Sequence, residues 1–282
     1  MNIFYSAINL KKELQIHKNN FSNIGFVPTM GALHQGHTSL VKKAKSENNF
    51  CVASIFVNPT QFNNPEDLKK YPRTLETDLS MLEAAGCDVV FIPSVDAMYP
   101  EKDTRVFDFN KLDSVMEGQF RPGHFNGVGQ IVSKLFDIVQ PHKAYFGQKD
   151  FQQLAIIKYL AKHFMPELNI EIIACPIIRE ADGLAMSSRN LLLTPEHRKL
   201  APVISQTLFK AVEIAKQYSV VDLKQWVIDQ INQNELLKVE YFEIVDDTQL
   251  VPITNWDENN IKVGCIAVFA GNVRLIDNVI FS

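Results

Sequence analysis

Short apolar runs at residues 24–27, 51–57, 88–92, 144–146 and 170–178 alternate with stretches whose apolar residues recur three or four apart. This alternation constrains the fold more than any other feature. Ile131, Leu135, Ile138 and Val139 share one helical face, as do Leu154, Ile157 and Ala161. Strands separated by helices need right-handed crossovers, which place helices over both faces of a parallel sheet. The pattern fades after Arg179, where helical segments at 196–217 and 221–232 precede strand-like runs at 238–245, 261–269 and 273–281. Helices followed by strands predict a separate α+β domain. At ~150 residues per domain, the chain accommodates an α/β domain over 1–178 and a smaller α+β domain over 179–282.

The charge balance excludes one class of partner. Lys and Arg total 28 against 32 Asp and Glu, a net charge of −4, which argues against a broad nucleic-acid or anionic-membrane surface. The longest apolar stretches, 172–178 and 265–270, fall far below the ~20 residues of a membrane-spanning helix. The opening MNIFYSAINLKKEL lacks the charged, apolar and small-residue order of a secretory signal, so the cytoplasm is the expected compartment. Cys51, Cys87, Cys175 and Cys265 form no C-x-x-C pair and sit in or beside apolar runs. They read as small core residues, with no disulfide or structural zinc assigned.

In a parallel sheet the ligand lies beyond the carboxyl ends of the strands, and four such places here are polar. The first is PTMGALHQGH, residues 28–37, leading into a helical run at 38–45. Gly36 lets a ligand approach backbone N–H groups where a helix dipole favours an anion. His34 and His37 would share one face of a helical turn, suited to phosphate oxygens, a metal or a core. A metal needs a third ligand at sensible spacing, and none is nearby, so phosphate is the better reading.

The second is SIFVNPTQF, residues 54–62, where Asn58 and Gln61 offer uncharged amides for a small polar substrate, or form an Asx-Pro turn. The third is GQKDFQQL, residues 147–154: Gly147 permits a turn, Lys149 is a cation for phosphate, Asp150 can cap the next helix and Gln153 sits one turn in. The same residues also make a good surface turn. The fourth is DGLAMSSRN, residues 182–190, a compact donor set for phosphate oxygens or a solvated interdomain loop. Its place near the boundary suggests a mobile flap. The segment 117–127 has the glycine and proline density of a shaped loop, and Arg121 and His124 either reach a substrate or support that loop.

Together and in order, these segments, with YPRTLETD at 71–78 and RPGHFNGV at 121–128, resemble the consecutive signatures of the pantoate–β-alanine ligases, also called pantothenate synthetases. HxGH and SSR also resemble the HIGH and KMSKS signatures of the wider nucleotidyl-transferring superfamily. The resemblance implies a Rossmann-like domain, a smaller C-terminal domain covering the site, a homodimer, and ATP-dependent joining of (R)-pantoate to β-alanine with Mg²⁺ through a pantoyl adenylate. Carried over by position, Met30, Gly31, Ala32, Leu33, His34, Gln35, Gly36 and His37 contact ATP, with His37 the proton donor. Gly147, Gln148, Lys149, Asp150, Ile178, Met186, Ser187, Ser188 and Arg189 complete the nucleotide site. His34 and Lys149 join His37 in catalysis, Gln61 and Gln153 hold pantoate with Asn58 beside them, and Asp78 falls near Mg²⁺. The family often has an acidic residue where this chain has Gln148.

Three other readings compete. A nucleotidyltransferase on the same HxGH scaffold would leave the nucleotide in its product, and a nucleotide sensor would bind ATP without releasing AMP. A Rossmann dehydrogenase is disfavoured, because no G-x-G-x-x-G follows the first apolar run.

Overall fold

The computed structural model describes residues 1–19, 23–63, 65–258 and 261–281. Among them, β1 (Asn2–Phe4), β2 (Ile24–Thr29), β3 (Phe50–Ile55), β4 (Val89–Phe91), β5 (Lys143–Gly147) and β6 (Glu171–Cys175) form one parallel sheet. Its order is β1-β4-β3-β2-β5-β6. The chain leaves β2 towards β3 on one side and returns to β5 on the other. That reversal opens a crevice beyond the carboxyl ends of β2 and β5, where such sheets hold their ligands.

Successive strand residues point to opposite faces, and both faces are buried. Val27, Cys51, Ala53, Ile55, Val90 and Tyr145 pack with Leu40, Val41 and Ala44 of helix Gln35–Glu47 and Leu82 of helix Leu75–Ala84. On the other face Phe26 and Phe146 meet Phe136 of helix His124–Val139, with ring centroids 6.5 and 6.4 Å apart. Each fully buried aromatic of this kind contributes roughly 1.5–3 kcal/mol.

The chain divides into two compact units, Met1–Gln148 with Ile156–Pro176, and Lys149–Ala155 with Ile177–Ser282. The second unit carries β7 (Leu237–Asp246), β8 (Lys262–Ala270) and β9 (Val273–Phe281), antiparallel in the order β7-β8-β9. Helices Val203–Ile214 and Val220–Asn232 supply Ile204, Leu208, Leu223, Val227 and Ile231 to a core shared with Phe242, Ile266 and Leu275.

Three sequence expectations need correction. The helical segment at 196–217 is broken, with helices at Pro195–Leu200 and Val203–Ile214, because Pro202 has no N–H to continue the ladder. The loop expected at 117–127 contains helix Glu117–Phe120 and the first turn of helix His124–Val139. Its glycines permit close approach: a Cβ on Gly127 would lie 2.4 Å from the backbone oxygen of Thr60. The helix after β2 starts at Gln35 rather than 38, which brings His37 into its first turn. The four cysteines are buried, and none is joined in a disulfide. No helix among the described residues is long and apolar enough to cross a membrane.

Candidate functional site

The loop after β2 is set by its backbone first. Gly31 and Ala32 both adopt the left-handed region, φ +81° and +49°, which costs a non-glycine residue roughly 1–2 kcal/mol. A buried carboxylate offsets that cost. Ala32 N–H and Leu33 N–H donate to the two oxygens of Asp78 at 3.0 and 2.8 Å, and Thr74 Oγ1 donates to the same group at 3.1 Å. Asp78 is 1% exposed, so these charge-assisted bonds are desolvated and tie the loop to helix Leu75–Ala84.

At the end of that loop His34 caps helix Gln35–Glu47. Its Nδ1 accepts the N–H of Gly36 at 3.1 Å, and Nδ1 of His37 accepts the N–H of His34 at 3.3 Å, a reciprocal capping box. A ring nitrogen that accepts carries no proton, so Nδ1 of each imidazole is given to the cap. The rings lie 4.1 Å apart between centroids. Both rings therefore stand at a helix N-terminus, where the dipole favours an anion.

After β3, the turn Pro59–Gln61 buries Gln61, whose backbone carbonyl accepts His124 Nδ1–H at 2.9 Å and Arg121 Nη2 at 3.4 Å. Arg121 also pairs with Glu117 at 3.6 Å. In this unit both residues of RPGHFNGV brace the turn that carries Gln61. Asn58, expected beside the substrate, has both ends of its amide engaged. Its Nδ2 donates to Gly127 O at 3.1 Å, and its Oδ1 accepts from Tyr99 Oη at 2.7 Å and Thr60 Oγ1 at 3.2 Å. Burial pushes the Tyr99 phenol up, keeping it a donor. Asn58 therefore shapes the turn that carries Gln61.

In the second unit, Lys149 is half-buried and Asp150 exposed. The Asp150 carbonyl accepts Leu154 N–H at 2.9 Å, opening helix Phe151–Phe164 with Gln153 in its first turn. Residues 178–186 form a hairpin in which Met186 N–H donates to Ile178 O at 2.9 Å and Glu180 N–H to Leu184 O at 2.8 Å. Arg198 grips Glu180 at 2.5 Å and Asp182 at 2.6 Å, and its guanidinium holds the Asp182 carboxyl below the usual range. Asn190 Nδ2 donates to Glu180 Oε1 at 2.7 Å, and Ser187 Oγ accepts Arg189 N–H at 3.3 Å. The segment expected as a mobile flap is therefore tied at Asp182 to Arg198 of helix Pro195–Leu200 and at Asn190 to Glu180.

The family resemblance implies that Asp78 lies near Mg²⁺, and the geometry does not fit that role. Donors aimed at both oxygens occupy lone pairs that a hard cation would need, and no group of three or more His, Cys, Asp or Glu among the described residues is arranged to hold a metal ion. Asp78 is a loop anchor. Sequence reasoning passed over Asp277 and Asn278 on β9, whose only signal is a polar pair within an apolar strand.

The family model described as pantoate-beta-alanine ligase matches residues 2–280. A pantothenate synthetase from Phocaeicola vulgatus is 55% identical over 279 residues, covering 99% of each chain. One from Bacteroides fragilis is 54% identical over 279 residues, 99% of this chain and 98% of that one. Among solved structures, a pantothenate synthetase from Thermus thermophilus superposes with a TM-score of 0.91 at 41% identity, covering 99% of each chain. A pantoate-beta-alanine ligase from Francisella tularensis, described as complexed with beta-gamma ATP and beta-alanine, gives 0.81 at 39% identity, covering 99% of this chain and 97% of that one. Matched from end to end by sequence and by fold, and carrying the histidine pair at the crevice of its parallel sheet, the chain belongs to the pantoate-beta-alanine ligase family.

Proposed function

We propose that in this ligase His34, His37, Lys149, Ser187, Ser188 and Arg189 carry the adenylation of pantoate. The observation that supports this most is the reciprocal cap of His34 and His37, which engages Nδ1 of each ring and sets both rings at a helix N-terminus. In the first step the pantoate carboxylate attacks the α-phosphorus of ATP in line. A bond from carboxylate oxygen to phosphorus forms, the bond to the bridging oxygen breaks, and pyrophosphate leaves.

Both reactants are anions, so the site must offset charge. Lys149 and Arg189 are the cations, Ser187 and Ser188 add hydroxyl donors, and His37 Nε2–H donates to the departing group with His34 beside it. Residues 30–36, Gly147, Gln148, Asp150, Ile178 and Met186 make the remaining nucleotide contacts. Gln61 and Gln153 hold pantoate, Gln61 also lying near β-alanine.

In the second step the β-alanine nitrogen attacks the acyl carbon, the bond from that carbon to the AMP oxygen breaks, and the nitrogen loses a proton to solvent. An alkyl amine has a pKa of roughly 10, so its neutral form is scarce at pH 7. Positioning, worth several kcal/mol for well-oriented reactants, carries this step. ATP as co-substrate points to the cytoplasm, and a second copy of the chain is the assembly partner implied by the resemblance.

The test is exchange of labelled pyrophosphate into ATP with pantoate present and β-alanine absent. Exchange supports the adenylate route. AMP formation that requires β-alanine, with no exchange, overturns it.

A further inference from the structure

β9 is apolar except for Arg274, which pairs with Glu240, and Asp277 and Asn278, which are 4% and 3% exposed. Burying a carboxylate and an amide side by side is costly unless each is bonded, and the sheet does not account for them. Their ladder partners are Ile266 and Cys265 of β8. The bonds go elsewhere within the same unit. Asn278 Nδ2 donates to the backbone oxygen of Lys149 at 3.0 Å. The two oxygens of Asp277 accept Arg179 at 2.6 and 2.9 Å, and Arg179 also donates to Gly183 O at 3.1 Å. The guanidinium lies 4.8 Å from the ring centroid of Phe209. Asp277 Oδ1 accepts Asn278 N–H at 2.8 Å, which couples the two residues.

Consecutive positions on one strand therefore hold two segments that are distant in sequence. One is the turn bearing Lys149. The other is the hairpin stem that runs on to Ser187, Ser188 and Arg189.

We infer that Asp277 and Asn278 are positioning residues for adenylation, acting through the Lys149 backbone and through Arg179 on the arm ending at Arg189. The inference rests on the roles proposed above for Lys149 and Arg189. A lysine ammonium is a point charge on a flexible stem, so its place depends on where its backbone is held. A displacement of about 1 Å can cost on the order of 10²-fold in rate.

The experiment measures pyrophosphate exchange in the intact enzyme for Asn278→Ala, Lys149→Ala and the double variant. Asn278→Ala lowers the exchange rate about tenfold or more, leaves the pantoate KM within about twofold, and costs nothing further once Lys149 is alanine. The same loss in both backgrounds overturns the inference, because a general structural defect adds independently. A Lys149→Ala enzyme exchanging at the wild-type rate instead overturns the role of Lys149, which is a distinguishable failure.

Asp277→Ala would strand a buried guanidinium and endanger the fold, so Asp277→Asn, which keeps the shape, tests the second arm. It raises the ATP KM about fivefold or more with the pantoate KM unchanged. A wild-type ATP KM and rate in that variant remove Asp277 from the inference.

Discussion

The backbone N–H of His34 donates to Nδ1 of His37 at 3.3 Å, so the residue that caps the helix also commits one nitrogen of the His37 ring to accepting. The cap and the proposed chemistry meet in the same ring. They occupy different atoms, which makes them separable.

His37→Asn separates them. The asparagine oxygen takes the place of Nδ1 and keeps the cap, while nothing replaces Nε2–H. Thermal unfolding is expected within about 0.5 kcal/mol of wild type, whereas His37→Ala loses about 1 kcal/mol of capping. Pyrophosphate exchange falls by roughly 10²–10⁴ in both. Wild-type exchange by His37→Asn would remove the Nε2 donor from the mechanism.

Asp78→Asn is expected to fail by a route that magnesium cannot repair. An amide offers one oxygen where two N–H groups need acceptors, and its own NH₂ opposes the other donor, at about 1–3 kcal/mol. Activity drops with stability, and titration with Mg²⁺ restores neither. Recovery at high Mg²⁺ would return Asp78 to the role of a metal ligand.

Gly127→Ala puts a methyl group 2.4 Å from Thr60 O and pushes away the turn that carries Gln61. Overpacking of this kind costs roughly 1–3 kcal/mol. The pantoate KM is expected to rise about tenfold while the ATP KM moves little, since one lost contact is worth about 1.4 kcal/mol. Equal rises in both constants would show general damage to the fold.

Asp103 governs part of the acid stability. The Arg105 guanidinium holds its carboxyl well below the usual carboxylate range, and Arg105 ties that segment to Ser133 Oγ at 3.0 Å. A depressed native pKa means the contribution is fully present above about pH 4 and is lost as pH falls towards the native value. Asp103→Asn should therefore cost about 1–2 kcal/mol at pH 7, discounted because Arg105 is half-exposed, and progressively less between pH 4 and 2. Urea unfolding across that range measures it. A cost independent of pH would show that packing, not charge, is responsible.

Much of the architecture was legible because its signals are local. Apolar runs marked β2 to β6, and the loss of alternation after Arg179 marked the change to helices followed by antiparallel strands. β1 was not legible, since Asn2–Phe4 is too short to show a period. Pro202 was readable as a helix breaker, yet the apolar spacing around it masked the break. Gly127 reads as a loop residue in sequence, because a helix tolerates glycine best where another backbone needs the room, and Thr60 supplies that need.

The sequence by itself determined which residues stand at the strand ends, and so which segments could meet a nucleotide. Only the tertiary structure decided what each polar side chain does there. Asp78 reaches Ala32 across 46 positions, His124 reaches Gln61 across 63, and Asn278 reaches Lys149 across 129. No periodicity encodes such pairs. A buried polar group must find a partner, but which partners it finds is settled only when strands pair and burial removes water as the alternative.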